Sequence, residues 1–179
     1  MALSLSTALV NRWAGSYDFA NYNLLGVNGG SFATNPFGGT WTSTHTAAQA
    51  TTVTGAFGST GICTLPSDGT AAEARFTAAL SFAGKVPYEV TGFAYSPSGG
   101  NGVGIICLLG STAGASDIAT FTYTPSTTNV WEKFKFVTTL PSDSASVYLT
   151  IKASSATNPK VCYVDEIVVQ TSAQSLADI

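Results

Sequence analysis

The chain has 179 residues, of which only 9% are charged, with a formal net charge of −3 and 18 glycines. That length fits one domain with its own core. So little charge removes the basic footprint of nucleic-acid binders and of proteins that dock on membrane surfaces, and no apolar run is long enough to span a bilayer. Polarity comes from Ser, Thr, Asn and Gly, a composition common in secreted, cell-surface and virion β-proteins.

In chain order, residues 1–27 differ from the rest. The opening Met1 to Val10 has no basic segment, and Ser and Thr interrupt its apolar residues, so no cleaved secretory signal is expected. Ser6 is a cap for one short helical stretch in which Leu5, Leu9 and Trp13 recur four residues apart, and Gly15 stops it. Such a helix is marginal alone and needs a surface to lie on. Residues 1–27 therefore read as an N-terminal arm, with Leu5, Leu9 and Trp13 as its interface.

From residue 28 to 170 the chain reads as strands punctuated by Gly, Pro, Asn and Ser. The candidates are residues 51–53, 61–65, 74–82, 88–95, 103–109, 119–123, 131–138, 147–152 and 161–169. Gly99-Gly100-Asn101-Gly102 is a turn, and 171–179 a polar tail. In 131–138, Phe134 and Phe136 face one way and Lys133 and Lys135 the other; in 147–152, Val147, Leu149 and Ile151 point inward and Tyr148, Thr150 and Lys152 outward. The last strand is apolar on both faces, so Asp165 or Glu166 sits among buried neighbours and needs a partner. About eight strands without helical crossovers imply an all-β, antiparallel jelly-roll sandwich.

Cys63, Cys107 and Cys162 are odd in number and lie in apolar strands, which makes them buried small hydrophobes in a chain folded in a reducing cytoplasm. They form no zinc pattern. His45, the single histidine, belongs to an exposed turn. Asp165 and Glu166 are adjacent on one strand, so simple alternation sends them to opposite faces, and they cannot form the facing carboxylate pair of a glycosidase. No nucleophile elbow and no phosphate loop is present. For sugar stacking the candidates are Trp41, Tyr88, Tyr95, Tyr148 and Tyr163, with Trp41 and Tyr148 carried furthest; Trp131 reads as core.

Asn28-Gly29-Gly30-Ser31-Phe32, Gly39-Thr40-Trp41-Thr42 and Gly61-Ile62-Cys63-Thr64-Leu65 are followed by residues 84–95, by Trp131 with Phe134, and by Tyr163-Val164-Asp165-Glu166-Ile167. In that order they resemble the carbohydrate-binding-module-like (galactose-binding-type) jelly rolls, β-sandwiches attached to many glycosidases and also found in phage virion proteins. Members with a structural calcium often place an acidic residue after the opening Gly-Gly-x-Phe and pair it with the aspartate of the last strand. Here that position is Ala33. The resemblance thus implies a calcium held through Asp165, whereas Ala33 removes one carboxylate, and the preferred reading assigns no cofactor and satisfies Asp165 with backbone N–H groups.

The first residues are also similar to the opening of small phage structural proteins. Together these resemblances imply a non-enzymatic virion protein, made in the host cytoplasm and placed on the phage particle. The first expectation is a capsid decoration (cement) protein, a dimer or trimer bound to the major capsid protein or other virion subunits through its arm. The alternatives are a tail, baseplate or fibre accessory, or a module binding host-surface polysaccharide.

Overall fold

The computed structural model describes residues 23–26, 29–67, 69–98, 103–156 and 160–172. The expected arm helix with Leu5, Leu9 and Trp13, the turn at 99–102 and most of the tail lie outside these residues.

Among the described residues eleven strands form the body: β1 (Trp41–Thr44), β2 (Ala48–Ala50), β3 (Ile62–Ser67), β4 (Glu73–Phe76), β5 (Leu80–Phe82), β6 (Pro87–Tyr95), β7 (Ile105–Gly110), β8 (Ala119–Tyr123), β9 (Trp131–Thr139), β10 (Ser144–Ala153) and β11 (Lys160–Thr171). One sheet runs β1-β4-β10-β7-β8, with β5 also on β10; the other runs β2-β3-β11-β6-β9. Every ladder is antiparallel. The chain crosses between sheets repeatedly, as a jelly-roll sandwich requires.

The count exceeds the expected eight for local reasons. Residues 74–82 split into β4 and β5 because their register against β10 shifts between them, from Arg75 opposite Thr150 to Leu80 opposite Val147, which leaves residues 77–79 outside the ladder. The strand expected at 51–53 lies earlier, at β2, and β1 is an edge strand beyond those expected. His45 is in the exposed turn between them, at φ 55°.

Period-two alternation builds the core. On β10, Val147, Leu149, Ile151 and Ala153 point inward, and from the facing sheet come Val90, Ala94, Phe134, Val164, Ile167 and Val169. The open side between edge strands β8 and β9 is closed by Phe121 on Phe136, stacked at 5.0 Å, and Tyr123 against Phe134 at 5.9 Å. Cys63, Cys107 and Cys162 are buried free thiols within this core, as expected. Burial pushes the Cys107 thiol up to about 12, which leaves it an inert packing group.

Two features near the N-terminal side fix β11. Asn23, read as part of the arm, donates Nδ2–H to the Ile167 carbonyl at 3.0 Å and accepts from Leu25 and Val169 N–H at Oδ1. It is a buried clip that occupies the flank of β11 beyond the reach of β3. Gly30 then lies against β11 so closely that a Cβ would stand 1.5 Å from the Ile167 carbonyl oxygen. Only glycine fits there. Opposite this contact β11 carries a bulge: its register with β6 slips between Asp165 and Val168, and Glu166 adopts φ 52°. The bulge corrects the expectation that Asp165 and Glu166 leave from opposite faces, because the extra residue interrupts the alternation at Glu166.

Candidate functional site

The outward face of the five-stranded sheet carries one row of residues that register places side by side across all five strands. Ala48 pairs with Thr64, Thr64 with Tyr163, Tyr163 with Tyr95, and Tyr95 with Trp131. Three of the five are aromatic. The Tyr95 ring lies 5.3 Å from Trp131 and 5.8 Å from Tyr163, tilted 49° to each, within the range where ring pairs attract. All three are half-buried, so each keeps part of its ring in water. Burial raises the Tyr163 hydroxyl above the ordinary tyrosine value, with Tyr95 adding to the effect.

Polar groups hold the row from both ends. Tyr95 donates its hydroxyl to Asn129 Oδ1 at 3.3 Å, and the same oxygen accepts the Ser98 N–H at 3.0 Å. Asn129 is at φ 61°, a left-handed turn conformation that Asn tolerates, and its own N–H donates to the Ser96 carbonyl. The turn carrying Asn129 is anchored by Glu132. Its carboxylate accepts from Tyr123 Oη at 2.9 Å, Ser126 N–H at 3.0 Å, Ser126 Oγ at 2.9 Å and Thr127 N–H at 2.6 Å. Led by the backbone bond from Ser126, these donors hold the Glu132 carboxyl down at about 2.

At the other side of the row, residues 51–60, the connection from β2 to β3, lie over the sheet. The Trp131 indole N–H donates to the Thr54 carbonyl at 3.0 Å, and Phe57 packs its edge on Phe93 at 4.9 Å. Asp165, fully buried beneath, accepts from Ala56 N–H at 3.0 Å and Ser59 Oγ at 2.8 Å on one oxygen, and from Glu166 N–H at 2.9 Å on the other. Burial raises its pKa above the ordinary carboxylate range, opposed by those same bonds. Glu166 is raised too, by burial and then by the Asp165 charge.

This environment decides how Asp165 relates to the calcium that the sequence resemblance implied. Each of its oxygens accepts a backbone N–H, from Ala56 and from Glu166, and an N–H cannot ligate a cation. The nearby carbonyls of Phe32 and Ala33 are taken by the amide of Gln49, at 2.6 and 3.3 Å. The residues present do not fit calcium; they satisfy the carboxylate with local donors.

The structure redistributes the aromatic candidates. Trp41 is fully buried, wedged at 5.6 Å from Phe32 and 5.4 Å from Phe76 with its indole N–H on the Gly29 carbonyl. It is corrected from sugar platform to core residue, because that carbonyl lets the indole be buried at no cost in hydrogen bonding. Tyr88 is likewise core, stacked on Phe82 at 4.0 Å. Tyr148 is half-buried and faces outward with Thr150 and Lys152 as expected, but on the other sheet, paired with Gly110. Tyr95 and Tyr163 come together. Trp131, read as core, is the correction in the opposite direction. Its parity was the available signal: positions 131, 133 and 135 share one face of β9, and that face carries Lys133 and Lys135.

No family model and no curated protein sequence matches the chain. Solved structures share its fold at low identity. An arabinose-bound α-L-arabinofuranosidase, MgGH51, superimposes with a TM-score of 0.60 at 11% identity over 86% of this chain. This chain spans 28% of that enzyme's length. A cleaved adhesin domain of Lys-gingipain from Porphyromonas gingivalis gives 0.54 at 10% identity, over 78% of this chain and 95% of that domain. The CBM22-1 xylan-binding domain from Paenibacillus barcinonensis gives 0.52 at 12% identity, over 79% of this chain and 95% of that domain. At these identities the likeness establishes the β-sandwich fold.

Proposed function

We propose that this chain is a non-catalytic glycan-binding module whose binding face is the outer surface of the five-stranded sheet, with Tyr163, Tyr95 and Trp131 as its floor. The observation that carries the reading is the three-ring row itself. Adjacent rings on adjacent strands make a rigid apolar strip, and the C–H faces of pyranose or pentose rings stack on such surfaces while polar groups at the rim take hydroxyls. Asn129, Thr64 and Thr54 stand at that rim.

The face carries exposed Lys133 and two engaged acids: Asp165 is held by the 51–60 loop, and Glu89 lies between Gln170 at 2.6 Å and Lys135 at 2.5 Å. Carboxylates occupied this way serve architecture, which supports binding over hydrolysis. The fold neighbours add support, since one is a xylan-binding domain and another, from Clostridium thermocellum, is a xylanase fragment with xylohexaose. Xylan, β-glucan and galactan are therefore the first probes. The first expectation from sequence, capsid decoration, depended on the arm over residues 1–27; the aromatic face supports the glycan alternative instead.

Affinity electrophoresis in gels containing each polysaccharide tests this. The native chain is retarded by at least one, and Trp131→Ala or Tyr95→Ala weakens that retardation by about tenfold, the scale of one lost ring contact, while the fold is kept. Retardation of Trp131→Ala equal to that of the native chain contradicts the proposal.

A further inference from the structure

We propose that the loop of residues 51–60 is the specificity-determining wall of this face, with Phe57 as its contact residue and Asp165 as the positioning residue that holds it. This rests on the glycan reading. Phe57 is 71% exposed, yet it is neither isolated nor loosely held. Its ring stands at 79° to Phe93, and Phe93 lies two residues before Tyr95 on the same face of β6, about 7 Å along the strand from the aromatic row. The ring is thus placed as a wall flanking the row, with exposed Lys133, the cross-strand partner of Phe93, beside it.

The loop is built to keep that ring in place. Gly55 N–H donates to the Ser59 carbonyl at 2.9 Å, and Gly58, at φ 81°, donates to the Gly55 carbonyl at 3.1 Å. Asp165 then takes Ala56 N–H and Ser59 Oγ on a single oxygen, Oδ2, gripping the loop by backbone before Phe57 and by side chain after it. Gly55 makes the approach possible, because a Cβ there would stand 2.4 Å from that oxygen. The same loop supplies the Thr54 carbonyl that orients the Trp131 indole. One buried carboxylate therefore sets wall and floor together, and acts on the ligand only through them.

A wall on one flank accepts a chain whose sugars are bare on that side and rejects one with branches there. The test uses the full chain and three matched pairs of neutral polysaccharides: linear xylan and arabinoxylan, β-glucan and xyloglucan, mannan and galactomannan. The native chain binds the linear member of at least one pair more tightly. Phe57→Ala raises the affinity for the branched member relative to the linear one by about tenfold. Ser59→Ala, which removes one donor and leaves the core intact, moves the ratio in the same direction and speeds hydrogen exchange of the Trp131 indole N–H. Asp165→Asn does the same more strongly if it folds. Binding by the native chain with an unchanged ratio in Phe57→Ala overturns the wall. A shifted ratio in Phe57→Ala with unchanged ratio and exchange in Ser59→Ala overturns the positioning role. Absence of binding to all six by the native chain overturns the glycan reading, and the wall with it.

Discussion

The outward faces of the two sheets are built from the same alternating strands and put to different use. On the six-stranded sheet, charge and hydroxyl groups seal the surface: Arg75 grips Glu73 at 2.7 and 2.9 Å, Lys152 approaches the same carboxylate at 3.7 Å, and Thr150 is fully buried with Oγ1 accepting the Gly114 N–H at 3.0 Å. Tyr148 stands on that face without a ring neighbour among the described residues. On the five-stranded sheet the acids are turned to backbone donors or tucked into ion pairs, and the outermost groups are aromatic rings in contact. An outward aromatic by itself says little; a row of them, held by second partners, is what makes a platform.

The largest effect expected from probing this contrast is on stability, on the sealed face. Thr150→Val removes the acceptor of the half-buried Gly114 N–H and costs about 0.5–1.5 kcal/mol in chemical denaturation, the net worth of one hydrogen bond. It leaves glycan affinity unchanged. A loss of affinity equal to that of Trp131→Ala would erase the distinction between the faces.

A smaller effect, with a defined sign, belongs to the turn that carries Asn129. The folded pKa of Glu132 is held below its ordinary value, so its contribution is complete above the unfolded value of about 4.5 and is lost as pH falls toward about 2. Native stability, followed by thermal melting, therefore declines across that acid window, and Glu132→Gln flattens the decline. An identical acid profile in the variant contradicts the anchoring role. Asp165 and Glu166 act with opposite sign: their raised values favour the fold at low pH, and that contribution is lost as pH rises through their folded pKa values. The Glu132 effect is therefore read as the difference between native chain and variant. Tyr148→Ala, the smallest change, alters neither affinity nor fold.

Much of the architecture was legible from alternation alone. The inward Val147, Leu149 and Ile151 and the outward Lys133 and Lys135 identified which strands had one wet face, and a chain of such strands admits few arrangements. The site was legible only in pieces. Tyr95 and Tyr163 were recognisable as outward candidates, but their meeting depends on β6 and β11 pairing at those very residues, a register between strands 68 positions apart that one sequence does not display. For Trp131 the signal is parity: it shares the outward face of β9 with Lys133 and Lys135. For Trp41 there is no such signal, because nothing local announces that the Gly29 carbonyl accepts its indole N–H. The bulge at Glu166 lies against Gly30, more than a hundred residues away, and the role of Asp165 depends on where the 51–60 loop lands.

The central claim is that a glycan lies on the Tyr163–Tyr95–Trp131 row. Titrating the isotope-labelled chain with the polysaccharide that retards it, cut to soluble oligosaccharides, and following backbone amide and indole N–H resonances measures this directly. The account predicts saturable shifts centred on Tyr95, Trp131 and Tyr163, spreading to Asn129 and the Phe57 loop, with Tyr148 silent. Shifts centred on Tyr148 and the six-stranded sheet, with the three-ring row unmoved, would contradict it.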